Sequence, residues 1–240
     1  MSDPQHPPVL IVAHGQPSDP APAAAEIALL AGRVSRHLPG WPVGSVTLAE
    51  PGALAEAVAR MGPGGLVFPL FMAGGWFTRV NLPARLAEAG GADWRVMVPF
   101  GLLPAVQDLA LTLLREAGLG RGGELLVAAH GSFRSPAPAE VARALAAQLA
   151  TALDLARSEA AFIDQEPKLS AVRGFGAGAL CLPFFAARGG HVVDDLPEAL
   201  AEAGFAGRIL PPLGLDPRVP AVIAGAIIAA RDAAAAALPG

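Results

Sequence analysis

The 240-residue sequence has a single cysteine, a single lysine and no run of basic residues. The lone Cys181 sits in the apolar segment ALCLPFF, which excludes an internal disulfide framework and any cysteine-rich metal or cluster site, and fits a buried, inert thiol. A net charge of −4 and a pI near 5.7 disfavour nucleic-acid binding, which needs a basic face. Arginine takes the place of lysine almost everywhere, Lys168 being the exception; with the abundant Ala, Gly and Pro this reflects coding bias rather than function.

Other absences narrow the class further. The start, MSDPQHPPV, has no leading basic region, so it does not read as a signal peptide. The longest apolar stretch near the end, VPAVIAGAIIAA, falls short of the ~20 residues that span a bilayer. A cytoplasmic chain without a membrane partner is expected. No GxxxxGK[ST] occurs, and the glycine-rich pieces GGW, RGFGAG and RGG do not follow a first strand with an acid ~20 residues on, so no nucleotide cofactor is expected. Charged residues are only 16% of the chain and hydrophobic ones 53%, enough for a sizeable core.

What is present is a repeat. VLIVAHG (9–15) returns as LLVAAHG (125–131); His14 recurs as His130 and Glu50 as Glu166, both 116 residues later. Pro69 and Pro83 recur as Pro183 and Pro197 at 114, and Gly101 and Pro104 as Gly214 and Pro217 at 113. One unit of about half the length has been duplicated. One difference stands out: Phe77 occupies the place that His191 holds in the second copy.

Each copy reads as strands alternating with helices. In the first, the strands are 9–13, 43–48, 66–71 and 94–98, with helices over 22–38, 52–61, 81–89 and 104–117; the second repeats the order, with strands near 124–128, 159–164, 179–184 and 207–211. Apolar strands alternating with helices imply parallel sheets covered on both faces. The expected fold is α/β: two similar lobes, 1–119 and 120–240, each a four-stranded parallel sheet flanked by helices, joined near Gly118 to Glu124. Asp195 with Glu198 three residues on reads as a helix N-cap and capping box, with Asn81 in the same place in the first copy. Asp194 is placed to orient His191.

Ligands of parallel α/β sheets bind outside the carboxyl ends of the strands. His130, Glu166 and His191 each follow a predicted strand, so three potential metal ligands from three strand ends can converge there. Two imidazoles and a carboxylate suit cobalt, nickel, iron or zinc better than magnesium or calcium. Singly, each has a plainer reading: a hydrogen-bonded structural histidine, or a Glu-Pro that ends a strand. His14 and Glu50 are the secondary pair. Arg134, Arg188 and Lys168 lie within four residues of a candidate ligand and are either solvated or placed to meet an anionic substrate. Trp76, with Phe77, offers a flat apolar wall or packs in the core.

The AHG after the first strand, the Glu-Pro after the second, the PFF...GGHV..DLP block and PLG.DP.V before the last helix together resemble the sirohydrochlorin chelatases of the cobalamin and siroheme pathways, in their long, two-repeat form. The resemblance implies ATP-independent insertion of a divalent metal, cobalt or ferrous iron, into a tetrapyrrole held between two α/β lobes. It places the family's paired histidines at His130 and His191 and its acidic partner at Glu166, with Phe77 departing from the pattern in the first copy. Arg134, Arg188 and Lys168 would meet the substrate's carboxylates. The same donor set accepts nickel too. A non-catalytic tetrapyrrole or metal carrier is the alternative; a histidine phosphoryl-transfer enzyme ranks last, because Ala13 and Ala129 stand where it would want an arginine. Monomer and homo-oligomer both stay open.

Overall fold

The computed structural model describes residues 6–189 and 191–236. The continuous apolar runs become strands buried on both faces: β1 (Val9–Ala13), in which every residue is buried, and its repeat β5 (Glu124–Ala129). Each is central in its sheet. β1 is flanked by β2 (Val43–Thr47) and β3 (Leu66–Pro69), with β4 (Arg95–Val96) outermost, giving the order β2-β1-β3-β4, all parallel. The second sheet repeats this with β6 (Arg157–Phe162), β7 (Leu180–Pro183) and β8 (Arg208–Ile209), in the order β6-β5-β7-β8. The two parallel sheets are as the sequence pattern predicts.

Seven α-helices cover the sheets among the described residues: α1 (Pro20–Ser35), α2 (Ala53–Met61), α3 (Leu82–Glu88), α4 (Pro104–Glu116), α5 (Ala137–Leu153), α6 (Leu196–Glu202) and α7 (Val219–Ala236). In α1 the buried face is Ile27, Ala31 and Val34, the helical spacing seen in the sequence. Against the other face of the first sheet, Leu10, Val12 and Val46 pack with Leu54 and Val58 of α2 and Leu82 and Leu86 of α3. Leu126, Ala128 and Cys181 pack likewise against Leu196 and Leu200 of α6. Each fully buried Leu or Ile contributes about 1.5–3 kcal/mol, so the central strands are the main source of stability. Burial pushes the Cys181 thiol up to about 12, which keeps it protonated and unreactive.

Two expectations are corrected. The second copy has no counterpart of α2: Leu169–Ala171 makes only a 3-10 turn, because glycines at 174, 176 and 178 disfavour a helix. Side chains pin that loop instead. The Gly176 N–H donates to Glu124 Oε2 at 2.7 Å, and the Arg157 guanidinium lies 3.7 Å from the centroid of the Phe175 ring. Asp195 and Asn81 are not caps. Each ends a π-helical turn, His191–Asp195 and Phe77–Asn81, that runs directly into α6 or α3, and both have helical backbone angles with no capping hydrogen bond. The preceding turn supplies the carbonyls that a cap would replace, as where the Leu82 N–H donates to Phe77 O.

The compact units do not coincide with the sequence repeats. One comprises Met1–Leu103 with Pro217–Gly240 and the other Pro104–Asp216, so the segment from Gly118 to Glu124 lies inside the second unit. Each repeat's last helix belongs to the other repeat's unit. The same interaction secures both: Arg95 on β4 donates to Ala230 O of α7, and Arg208 on β8 donates to Ala117 O just beyond α4. Helix α7 runs 18 residues with mean hydropathy 1.6, longer than its apolar core suggests, and by length and composition it could cross a membrane. Here Val219, Ile223, Ala224 and Ile227 are buried in the first unit.

A fragment of residues 104–216 should therefore unfold in one cooperative thermal transition, whereas residues 120–240, which lack α4 and carry α7 without its unit, should melt broadly or aggregate. Calorimetry of the two fragments decides; a sharper transition for 120–240 would contradict this division. Glycine changes give opposite signs. Gly131 has φ +75°, and a Cβ there would lie 2.8 Å from Gln165 Cβ, so Gly131→Ala should cost about 2 kcal/mol or more. Gly32 lies in α1 with open space around it, so Gly32→Ala should stabilise by about 0.5–1 kcal/mol. Urea denaturation measures both.

Candidate functional site

The second unit's central strand determines where its chemistry gathers. Because β5 lies between β6 and β7, the loop that follows β5 is bordered by the loops that follow both neighbours. His130 is the first residue beyond β5, and the π-helical turn beginning at His191 follows β7. The side chain of His191 lies outside what the structure describes.

Gly131 turns the chain sharply after His130, and the Asp164 N–H donates to His130 O at 2.9 Å, locking the two loops together. The Ser132 N–H adds a second tie to Gln165 Oε1 at 3.1 Å. These bonds bring Asp164 beside His130: its Oδ2 lies 3.5 Å from Nδ1, which is also 3.1 Å from Gly131 O. Two acceptor oxygens thus face Nδ1, an arrangement that favours a proton on Nδ1 and metal ligation through Nε2. His130 is part-buried, its side chain 42% exposed, so the imidazole is reachable from solvent.

Glu166 stands differently. Its carboxylate accepts the Lys168 N–H at 3.1 Å, its carbonyl accepts from Arg143, and the residue is exposed, so it folds its own loop back. The Lys168 ammonium donates to Ile163 O at 2.8 Å. Arg134 and Arg188 are exposed. Among the described residues His130 and Asp164 form a pair, and no three His, Cys, Asp or Glu side chains gather closely enough to hold a metal.

Asp164 is the residue that sequence reasoning missed. The constant offset of 116 between His14/His130 and Glu50/Glu166 hides a change of register: Val9 stands opposite Val43 and Leu125 opposite Ser158, so these second strands correspond at 115. The second copy has one extra residue in the loop before Glu166. Thr47-Leu48-Ala49 becomes Phe162-Ile163-Asp164-Gln165, and the longer loop carries the carboxylate to the imidazole.

In the first unit the corresponding loop, Thr47-Leu48-Ala49, carries no carboxylate. His14 is exposed and packs edge-on against Phe77, ring centroids 5.5 Å apart at 87°. Phe77 also touches Phe71. An aromatic ring thus meets the first imidazole where the second copy has His191. Glu50 lines a groove of about 200 Å³ along β2 with Ser45, Thr47, Glu56 and Arg60. Trp76, exposed, precedes the π-helical turn.

The family model of CbiX matches residues 124–230, the repeat that carries His130, Asp164 and the turn of His191. No curated protein matches the sequence. Among solved structures, CbiX, the terminal enzyme for siroheme biosynthesis in denitrifying bacteria, is 48% identical with a TM-score of 0.84, over 97% of this chain and 100% of its own. SirB from Bacillus subtilis with Fe3+ is 15% identical with a TM-score of 0.71, over 96% of this chain and 97% of its own. The sirohydrochlorin chelatase SirB from Bacillus subtilis subspecies spizizenii, in complex with cobalt, is 16% identical with a TM-score of 0.67, over 97% and 98%. The SirB likenesses carry the fold; the identity to CbiX over the full length carries the relationship. The chain belongs to the CbiX family of sirohydrochlorin chelatases.

Proposed function

We propose that the protein inserts a divalent metal ion, cobalt or iron, into sirohydrochlorin or a closely related tetrapyrrole, in the cytoplasm and without a nucleotide, and that the second lobe carries the reaction. The observation behind this is the His130–Asp164 pair of the second copy; in the first copy the corresponding loop, Thr47-Leu48-Ala49, carries no carboxylate, and His14 packs against Phe77. The solved relatives bind iron and cobalt, and both metals suit imidazole and carboxylate donors.

Metalation exchanges two pyrrole N–H protons for one M2+, so the site must hold a partly dehydrated ion and accept protons. In this reading Nε2 of His130 is a metal ligand. Asp164 holds the proton on Nδ1, orients the ring and offsets part of the ion's charge, as carboxylates behind ligating histidines do. His191, at the start of the π-helical turn, supplies the second imidazole. Glu166 shapes the loop that presents Asp164. Arg134 and Arg188 meet carboxylates of the substrate, with Lys168 tying the loop beneath them.

Absorbance spectra of sirohydrochlorin with Co2+ or Fe2+, with and without protein, test the activity. Turnover beyond one equivalent supports the proposal; stoichiometric binding without turnover would identify a carrier instead. His130→Ala should lower the rate at least 100-fold and His14→Ala less than about threefold, with circular dichroism unchanged. Asp164→Asn should cost about 10- to 100-fold and Glu166→Gln distinctly less. The reverse order for the two acids would return the metal-side role to Glu166.

A further inference from the structure

Among the described residues the most exposed of the large hydrophobic side chains is Phe133, 79% exposed, three residues beyond His130 on the same loop. Trp76, at 66%, is next. An isolated surface phenyl is ordinary. Phe133 is not isolated in its surroundings, because its backbone neighbours are fixed and its ring has a partner. The Ser132 N–H is bound to Gln165 Oε1 and the Arg134 N–H to Ser132 Oγ, each at 3.1 Å. Nζ of Lys168 lies 5.1 Å from the ring centroid and is itself anchored to Ile163 O at 2.8 Å.

Both loops that hold Phe133 are the loops that hold His130 and Asp164. The hydrogen bond from Asp164 N to His130 O and the tie from Ser132 to Gln165 join them along one edge. The ring is therefore presented by the same backbone that presents the imidazole, with a cation at one face and most of its surface in solvent. Duplication did not supply it: Pro17 stands at the corresponding position, 116 residues earlier. Phe133 thus follows, by three residues, the imidazole that has the carboxylate partner, whereas Pro17 follows His14.

We propose that Phe133 is a substrate-binding residue on which the flat tetrapyrrole stacks, so that the pyrrole nitrogens are brought to the metal ion at His130. This rests on the chelatase function proposed above. A macrocycle whose rim bears carboxylates and whose faces are apolar needs both kinds of contact; Phe133 offers the face contact, and the cations on the same loops meet the rim. Stacking on a preorganised ring confers affinity without a role in the chemical step.

Binding of metal-free sirohydrochlorin and steady-state insertion of Co2+ are measured for wild type, Phe133→Ala and Phe133→Trp. Phe133→Ala should raise both the Kd and the KM for the tetrapyrrole about tenfold, leave kcat within about twofold, and leave the thermal transition unchanged; Phe133→Trp should bind within about twofold of wild type. Unaltered affinity in Phe133→Ala, a loss confined to kcat, or failure of tryptophan to restore binding would each overturn the assignment. If wild type metalates normally in such a case, the chelatase function stands and only the stacking role falls. If wild type neither binds nor metalates the tetrapyrrole, both fall together.

Discussion

The close approach of the His-Gly turn to the loop of the neighbouring strand is the constraint from which the site follows. At Gly131 a Cβ would fall 2.8 Å from Gln165 Cβ and 2.9 Å from Phe162 Cβ, and at Gly15 it would fall 2.7 Å from Thr47 Cβ. Only glycine, with φ +75° and no side chain, lets the chain leave the strand so tightly. That proximity is what allows the Asp164 N–H to reach His130 O, and hence what sets the carboxylate 3.5 Å from the imidazole. A wider turn would leave the same residues present and unrelated.

Duplication explains why the site is asymmetric. Both lobes inherit the strand, the histidine and the glycine turn, so both have a scaffold for an imidazole at a strand end. A single added residue in the loop after β6 supplies Asp164 to the second copy, and Phe77 fills the place of the second imidazole in the first. Small local changes on a repeated frame give the two strand ends different side-chain chemistry while both sheets keep the same strand order.

The strands were legible because continuous apolar runs such as 9–13 and 125–129 have few other ways to be buried, and constant offsets made the topology of one copy a check on the other. The helix boundaries at Asn81 and Asp195 were misread because local capping chemistry competes with a helical turn that begins earlier, which short-range patterns do not register. The absent counterpart of α2 follows from glycines at 174, 176 and 178, visible in the sequence but outweighed by the expectation of repetition. Asp164 was hidden by two compensating one-residue shifts that restore the offset of 116 at Glu166. The exchange of α4 and α7 between the compact units has no trace in periodicity, since a helix's spacing says which face is buried and not against which sheet.

The most direct test of the central claim, that the imidazole of His130 takes the metal through Nε2, is a long-range proton–nitrogen spectrum of the histidine side chains during titration with Co2+. The account predicts that His130 shows Nδ1 protonated before the addition and loses its signals by one equivalent, with His14 little affected. Preferential loss of the His14 signals, or a His130 protonated at Nε2, would contradict it.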